Sequence, residues 1–122
     1  MTNVFRNLIK GFPIILALMF IQVTNAQFVP KNDVEKQAAK LVQAYQAEVG
    51  MTIEEATAVY EKIAETIVKE NDIRNSTATP QEKKVNLTTL SKQETEYMST
   101  ILDANQMKAY KKMKKTLQPL KY

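Results

Sequence analysis

The sequence predicts an all-α protein, a small helical hairpin or bundle of four to five helices that follows a signal peptide. Apolar residues recur at intervals of three and four along residues 33–117, as they do on one face of a helix. No segment of useful length alternates apolar and polar residues, and the chain has only two glycines, so strands and tight hairpins lack support.

Residues 1–26 have the order of residue types that is typical of a secretory signal peptide. Arg6 and Lys10 precede an apolar run over residues 12–23, and small or polar residues end the segment at Ala26. A transmembrane anchor is the alternative, but a span needs about 20 apolar residues and this run has twelve. We therefore expect cleavage after Ala26, an exported protein that is periplasmic or secreted, and a single helical domain over residues 27–122.

Charge is divided unevenly along the chain. Residues 27–103 carry nine basic and thirteen acidic side chains, whereas residues 104–122 carry six lysines and no acid. The C-terminal segment is therefore a cationic pole on an otherwise acidic body. The chain has no cysteine, so it can form neither a disulfide nor a lipid-modified cysteine.

The first helix should run from about Asp33 to Val49. Asn32 or Asp33 can cap its start, and Gly50 follows its end, where a left-handed residue commonly stops a helix. Its apolar face is formed by Val34, Ala38, Leu41, Val42, Tyr45 and Val49.

The second helix should begin after Thr52 and last to about Asn71 or Arg74. The Thr52 hydroxyl can accept the backbone N–H of Glu55, and the Glu55 carboxylate can accept the backbone N–H of Thr52, which makes a capping box. Its apolar stripe is formed by Ala56, Val59, Tyr60, Ile63 and Ile67.

The third segment permits two interpretations. A polar linker precedes Pro80, which suits the first position of a helix. Ser91 and Glu94 fit another capping box, and the β-branched pair at residues 88–89 weakens the helix just before it. The segment is therefore either one continuous helix from Pro80 to Leu102 or two helices with a break near Thr89. Tyr97, Met98, Ile101 and Leu102 supply its apolar face in either case.

The last helix should begin at Asp103, which can cap it, while Gln106 can reach back to the Asp103 N–H. Leu102 and Met107 flank this capping box and can form a hydrophobic staple. The apolar stripe is Met107, Tyr110, Met113 and Leu117, and Lys108, Lys111, Lys112 and Lys115 should point mostly away from it.

Residue types that carry chemistry are scarce. Histidine and cysteine are absent, which removes the commonest general base, the thiol nucleophile and the usual zinc ligands. The acid pair Glu54 and Glu55 lies in the first turn of a helix, where the helix dipole favours acids without any catalytic role. We therefore expect no catalytic, cofactor-binding or metal-binding residues, and a protein that is not an enzyme.

One short cassette occurs three times: an apolar residue, a capping Thr, Ser or Asp, two unrestricted positions, then Glu or Gln. The copies lie at residues 51–55, 90–94 and 102–106. With the third copy inside ILDANQMKAYKKMKK, residues 101–115, the chain resembles the Spy/CpxP family of small periplasmic helical proteins, which are marked by two LTxxQ motifs.

The resemblance places two of the cassettes on the family motif. Leu102, Asp103 and Gln106 take one copy, and Met51, Thr52 and Glu55 take the other. Asp stands in place of Thr in the first copy, and Met and Glu stand in place of Leu and Gln in the second. The family implies ATP-independent binding of unfolded or stressed envelope proteins on a helical cradle, often as a homodimer, or a sensor role in envelope stress.

Two functions are expected from the sequence. The first is an exported, non-enzymatic helical binding protein, chaperone-like or active in envelope stress, whose partners are unfolded or envelope proteins. The alternative is a structural, envelope-associated protein that binds an anionic surface through Lys108, Lys111, Lys112 and Lys115, although the same lysines can simply form a solvated face. Nucleic acid is not an expected partner, because the protein should be exported and only one short segment is basic. A closed core would favour the structural role, and a continuous exposed apolar groove would favour client binding.

Overall fold

Four α-helices follow one another in residues 29–120, the part of the chain that the computed structural model describes. They are α1 (Asp33–Val49), α2 (Ile53–Arg74), α3 (Pro80–Ile101) and α4 (Ala104–Leu117). No strand occurs within this described part, so the all-α class is confirmed. None of these four helices is long and apolar enough to cross a bilayer. The predicted signal peptide, residues 1–26, lies outside the described residues.

The helices form a ring of neighbours. The helix α1 packs against α2 and α4, and α3 packs against α2 and, over a smaller contact, against α4. Short connections make α1 with α2 and α2 with α3 consecutive hairpins, as in an up-and-down bundle. The start of α4 lies beside the turn between α1 and α2, where the Gln106 side chain donates to the carbonyl of Gly50.

A shared apolar core fills the centre of this ring. It draws on all four helices, and its most enclosed large side chains include Tyr45 on α1, Ile63 on α2, Met98 on α3 and Tyr110 on α4. Each of these four side chains is at most 1% exposed. Burial of such residues contributes about 1.5–3 kcal/mol each, which is the main source of stability for helices this short.

The predicted boundaries of α1 are confirmed. The Asn32 side chain, not that of Asp33, accepts the Glu35 N–H at 2.8 Å and caps the helix. Gly50 ends it in the left-handed conformation, with φ of 68°. A side chain at Gly50 would meet no atom within 4 Å, so the backbone conformation and not the space accounts for glycine there.

The third segment is one continuous helix from Pro80 to Ile101. The capping box predicted at Ser91 and Glu94 is wrong, because Ser91 lies in the middle of α3 and caps nothing. The threonines near it are accommodated by bonds to the preceding turn: the Thr88 hydroxyl donates to the Lys84 carbonyl at 2.8 Å. Such bonds satisfy a polar side chain inside a helix. The helix continues through its β-branched residues because it is stabilised by packing against α2.

The predicted apolar face of α3 is correct for Met98, Ile101 and Leu102, which lie in or against the core, but it is wrong for Tyr97. The buried face of α3 consists of Leu87, Leu90, Glu94 and Met98. Tyr97, which we assigned to the apolar face, is 41% exposed and lies under the ammonium group of Lys62, 4.8 Å from the ring centroid. The core side of α3 therefore includes an acid, and a tyrosine lies on its outer side.

Candidate functional site: the two faces of the last helix

Two of the predicted capping boxes form. At the start of α4 the Asp103 carboxylate accepts the Gln106 N–H at 2.8 Å, and the Gln106 side-chain oxygen accepts the Asp103 N–H at 2.9 Å. At the start of α2, Thr52 and Glu55 exchange the corresponding bonds at 3.0 and 3.1 Å. These four residues therefore have the helix-capping role predicted for them.

The two capping boxes lie side by side. The side-chain nitrogen of Gln106 is 3.3 Å from the Glu55 carboxylate and 3.3 Å from the Gly50 carbonyl. The apolar residues that open the cassettes, Met51 and Leu102, are both buried beneath them. The bond from the Thr52 N–H, with a smaller contribution from Gln106, holds the pKa of Glu55 below its usual value. Two cassettes that are 51 residues apart thus form one corner of the molecule.

The four predicted surface lysines, Lys108, Lys111, Lys112 and Lys115, lie on the outer side of α4. We call them the lysine face. All four are exposed, and their spacing of three, one and three places them along one side of the helix over about 10 Å. None of the ion pairs between described residues involves them. Their charges are therefore available to an anionic partner.

A fifth lysine of α4 points inward. Lys114 is 9% exposed, and its ammonium group donates to the Ser91 carbonyl at 2.8 Å and to the Thr95 hydroxyl at 2.9 Å. The same group lies 3.2 Å from the Glu94 carboxylate. Lys114 therefore connects α4 to the middle of α3 through a buried ion pair.

Glu94 is the acceptor at the centre of this cluster. It is 1% exposed, and the carboxylate oxygen that faces Lys114 also accepts the Tyr110 hydroxyl at 2.9 Å. Its other carboxylate oxygen is buried without a hydrogen-bond partner, as is the hydroxyl of Thr66 on α2. Contrary to the prediction, Glu94 therefore does not cap a helix but connects α3 to α4 through Lys114 and Tyr110.

Two tyrosines complete the cluster. The rings of Tyr45 and Tyr110 are 5.0 Å apart between centroids, at an angle of 41°. The Tyr45 hydroxyl donates to the Gln118 side chain at 2.5 Å, which fastens the end of α4 to α1. Burial, and next the charge of Glu94, raise the pKa of both hydroxyls well above the ordinary value, so both stay protonated. We call Tyr45, Glu94, Tyr110, Lys114 and Gln118 the buried polar network.

Sequence reasoning missed most of this network, although a signal was present. Met107, Tyr110, Lys114 and Leu117 are spaced by three, four and three, which is a better helical stripe than the predicted one with Met113. A lysine at such a position is usually expected to be exposed at the edge of the apolar stripe. The partner acid on α3 shows the same pattern, because Glu94 follows Leu90 by four residues on the buried face.

An open cleft of about 470 Å³ lies where α1, α2 and α4 meet at the other end of the bundle. Its polar lining includes Lys40, Glu70 and Arg74, and burial raises the pKa of the Glu70 carboxyl. Within the described residues no group of three or more acids, histidines or cysteines could hold a metal ion. The cleft offers charged groups but no nucleophile beside a base, so it does not resemble a catalytic site.

The comparisons with known proteins give no relative for this chain. No protein-family model matches the sequence. No curated protein and no solved structure matches it either. The resemblance to Spy/CpxP proteins therefore stays a prediction that rests on the motifs at the corner.

Proposed function

We propose that the chain is an exported, non-enzymatic helical binding protein that attaches to an anionic surface of the cell envelope through the lysine face of α4. One observation carries this proposal: four exposed lysines share one side of a helix that has no acid, and no described ion pair neutralises them. Each lysine near an anionic membrane contributes about 1 kcal/mol, and lysines on one face can act together.

The closed core also favours attachment over client binding. The exposed large apolar side chains of the described chain are Val29, Val68, Val85, Tyr97 and Leu120. They are divided between the two ends of this part of the chain and the helices α2 and α3, and none of them lies on α1 or α4. A holdase needs contiguous apolar surface for an unfolded client, and neither α1 nor α4 contributes an exposed large apolar side chain to such a surface.

Vesicle sedimentation tests the proposal. We expect the protein to sediment with vesicles that contain phosphatidylglycerol, to stay in solution with phosphatidylcholine alone, and to lose binding steeply as salt rises. Replacement of Lys108, Lys111, Lys112 and Lys115 by Gln should abolish sedimentation.

A matched control removes the same charge from elsewhere. Lys31, Lys36, Lys84 and Lys92 are also exposed, and they lie in the segment before α1 and on α1 and α3. Their replacement by Gln should weaken binding only slightly, since net charge falls equally but the lysine face is intact. Equal loss in both variants would show that binding depends on total charge and not on α4.

A chaperone-like function is the second candidate, and one observation favours it. The two cassettes that resemble the Spy/CpxP motif meet through Gln106, as expected if they act as a pair. Suppression of light scattering by an aggregating client tests this candidate. No suppression at several-fold molar excess would exclude a chaperone-like function. Suppression that persists in the Gln106→Ala variant would show that the activity does not depend on the contact between the two cassettes.

A further inference from the structure

We propose that α4 is a detachable membrane-inserting helix. On this proposal the lysine face first contacts anionic lipid, and α4 then leaves the bundle and buries its inward face in the interfacial layer of the same membrane. The inference rests on the proposed function, because the lysine face supplies the initial contact. Its partner is an anionic phospholipid bilayer.

The attachment of α4 permits such a release. Leu102, with φ of −98° and ψ of 145°, is the extended residue between the end of α3 and the cap of α4. A rotation there breaks no hydrogen bond within α3. The capping box of Asp103 and Gln106 is internal to α4 and its cap, so the helix keeps a capped start after it has left the bundle. The hairpins that join α1, α2 and α3 do not involve α4.

The inward face has side chains that suit a membrane interface. Its apolar members are Met107, Met113 and Leu117. Tyr110 and Lys114 lie among them, and both are amphipathic: a tyrosine ring or a lysine stem can lie among acyl chains while its polar tip reaches water. In the bundle the same two tips need the buried acceptor Glu94. At an interface, water and lipid phosphates satisfy them instead.

The bonds that hold α4 in place are costly ones. Lys114 and Glu94 give up hydration to form a buried ion pair, which stabilises far less than its Coulomb attraction suggests. The second Glu94 oxygen has no partner to offset its own desolvation. Contact between α4 and α3 is otherwise small. The main packing of α4 is against α1, yet its contact with the other three helices together is the smallest of any helix in the described bundle. The helix α4 therefore belongs to the less stable parts of the bundle, from which moving elements are drawn.

Tryptophan fluorescence can detect the insertion, because the chain contains no native tryptophan. We would place one on the inward face as Met113→Trp and, in a second variant, as Leu117→Trp. Both should shift to the blue and be quenched several-fold by brominated phosphatidylglycerol vesicles, and neither by brominated phosphatidylcholine. The control Val68→Trp, at an exposed position of α2, should not be quenched by either.

A second experiment tests whether the buried ion pair is the weak point in the docking of α4. The double substitution Glu94→Gln with Lys114→Met removes both charges and leaves a carbonyl to accept the Tyr110 hydroxyl. In a Leu117→Trp background it should raise the Tm and reduce quenching several-fold, while sedimentation persists through the lysine face. Unchanged quenching would overturn the role of the ion pair.

The two proposals fail in different ways. Sedimentation without quenching of either tryptophan would overturn insertion and leave surface attachment intact. Absence of sedimentation for the unsubstituted protein would overturn both. Equal quenching of Val68→Trp and Leu117→Trp would show that the whole bundle opens on the membrane, which also contradicts release of α4 alone.

Discussion

The corner and the buried polar network both hold α4 in place with hydrogen bonds, but they differ in origin. At the corner, Asp103 and Gln106 bond to each other across three residues, and the Gln106 side chain also donates to the Glu55 carboxylate. In the network no bond is local: Tyr110 donates to Glu94 across 16 residues, and Tyr45 donates to Gln118 across 73. Local bonds make each helix start where it does, whereas distant bonds determine which helices become neighbours.

The largest expected effect breaks the network and spares the corner. Lys114→Met should lower the free energy of unfolding by about 3–5 kcal/mol, because it leaves the Glu94 carboxylate buried without its cation. Urea unfolding measures it. The neighbouring substitution Lys115→Met, at an exposed position, should change stability by less than about 0.5 kcal/mol. Equal losses of stability in the two variants would show that the buried ion pair of Lys114 contributes no more than an exposed lysine does.

The tyrosines of the network should make stability fall at alkaline pH. Tyrosine in the unfolded chain ionises near pH 10, whereas burial holds the pKa of Tyr45 and Tyr110 far above that value in the fold. Stability is therefore complete below about pH 10 and decreases above it, by about 1.4 kcal/mol per tyrosine for each pH unit.

Absorbance at 295 nm after a pH jump measures this prediction. Two of the five tyrosines should ionise only as the protein unfolds. Their ionisation should therefore appear as a slow phase of the absorbance change. The double variant Tyr45→Phe with Tyr110→Phe should lose this slow phase, and its stability should fall less steeply with pH above about pH 10. Immediate ionisation of all five tyrosines would mean that the network is open to water.

A smaller effect is expected at the corner. Asp103→Ala should cost about 1 kcal/mol, as should Thr52→Ala, because each removes one helix cap. A double-mutant cycle with Glu55→Ala and Gln106→Ala should give a coupling of about 0.5 kcal/mol or more if the cassettes stabilise each other. Additive losses would mean that they are neighbours without coupling.

The lysine face should have the smallest effect on stability. Replacement of Lys108, Lys111, Lys112 and Lys115 by Gln should leave the free energy of unfolding within about 0.5 kcal/mol, since none of them is buried or ion-paired with a described residue. Circular dichroism and urea unfolding would show it. A large loss of stability would assign the lysines to the fold and would undermine the vesicle experiment.

The same distinction explains what could be predicted from the sequence. The starts of α2 and α4 follow from capping boxes only four residues long, and the end of α1 follows from Gly50. The continuity of α3 could not be decided, because Ser91 and Glu94 satisfy a capping pattern that the neighbouring turns override. The buried position of Lys114 was not predicted, because only its spacing from Tyr110 and Leu117 indicates it and its acceptors lie on another helix.

Of the candidate site, the lysine face was predicted residue by residue, because exposure of a charged side chain is the ordinary outcome. The meeting of the two cassettes was not predicted. Each cassette determines its own helix start, but their contact depends on how α4 lies against the turn between α1 and α2.

The bond between Tyr45 and Gln118 also has a consequence for the order in which the chain assembles. It joins residues 73 positions apart, and α4 is the last of the four helices in the described sequence. While the chain is being made, α1, α2 and α3 can form their hairpins at once, because those contacts are local. The side of α1 that carries Tyr45 must wait, uncovered, until the last helix arrives. Closure of the ring is therefore the late step of folding, and a chain that stops short of α4 leaves an apolar face on α1 open to other partners.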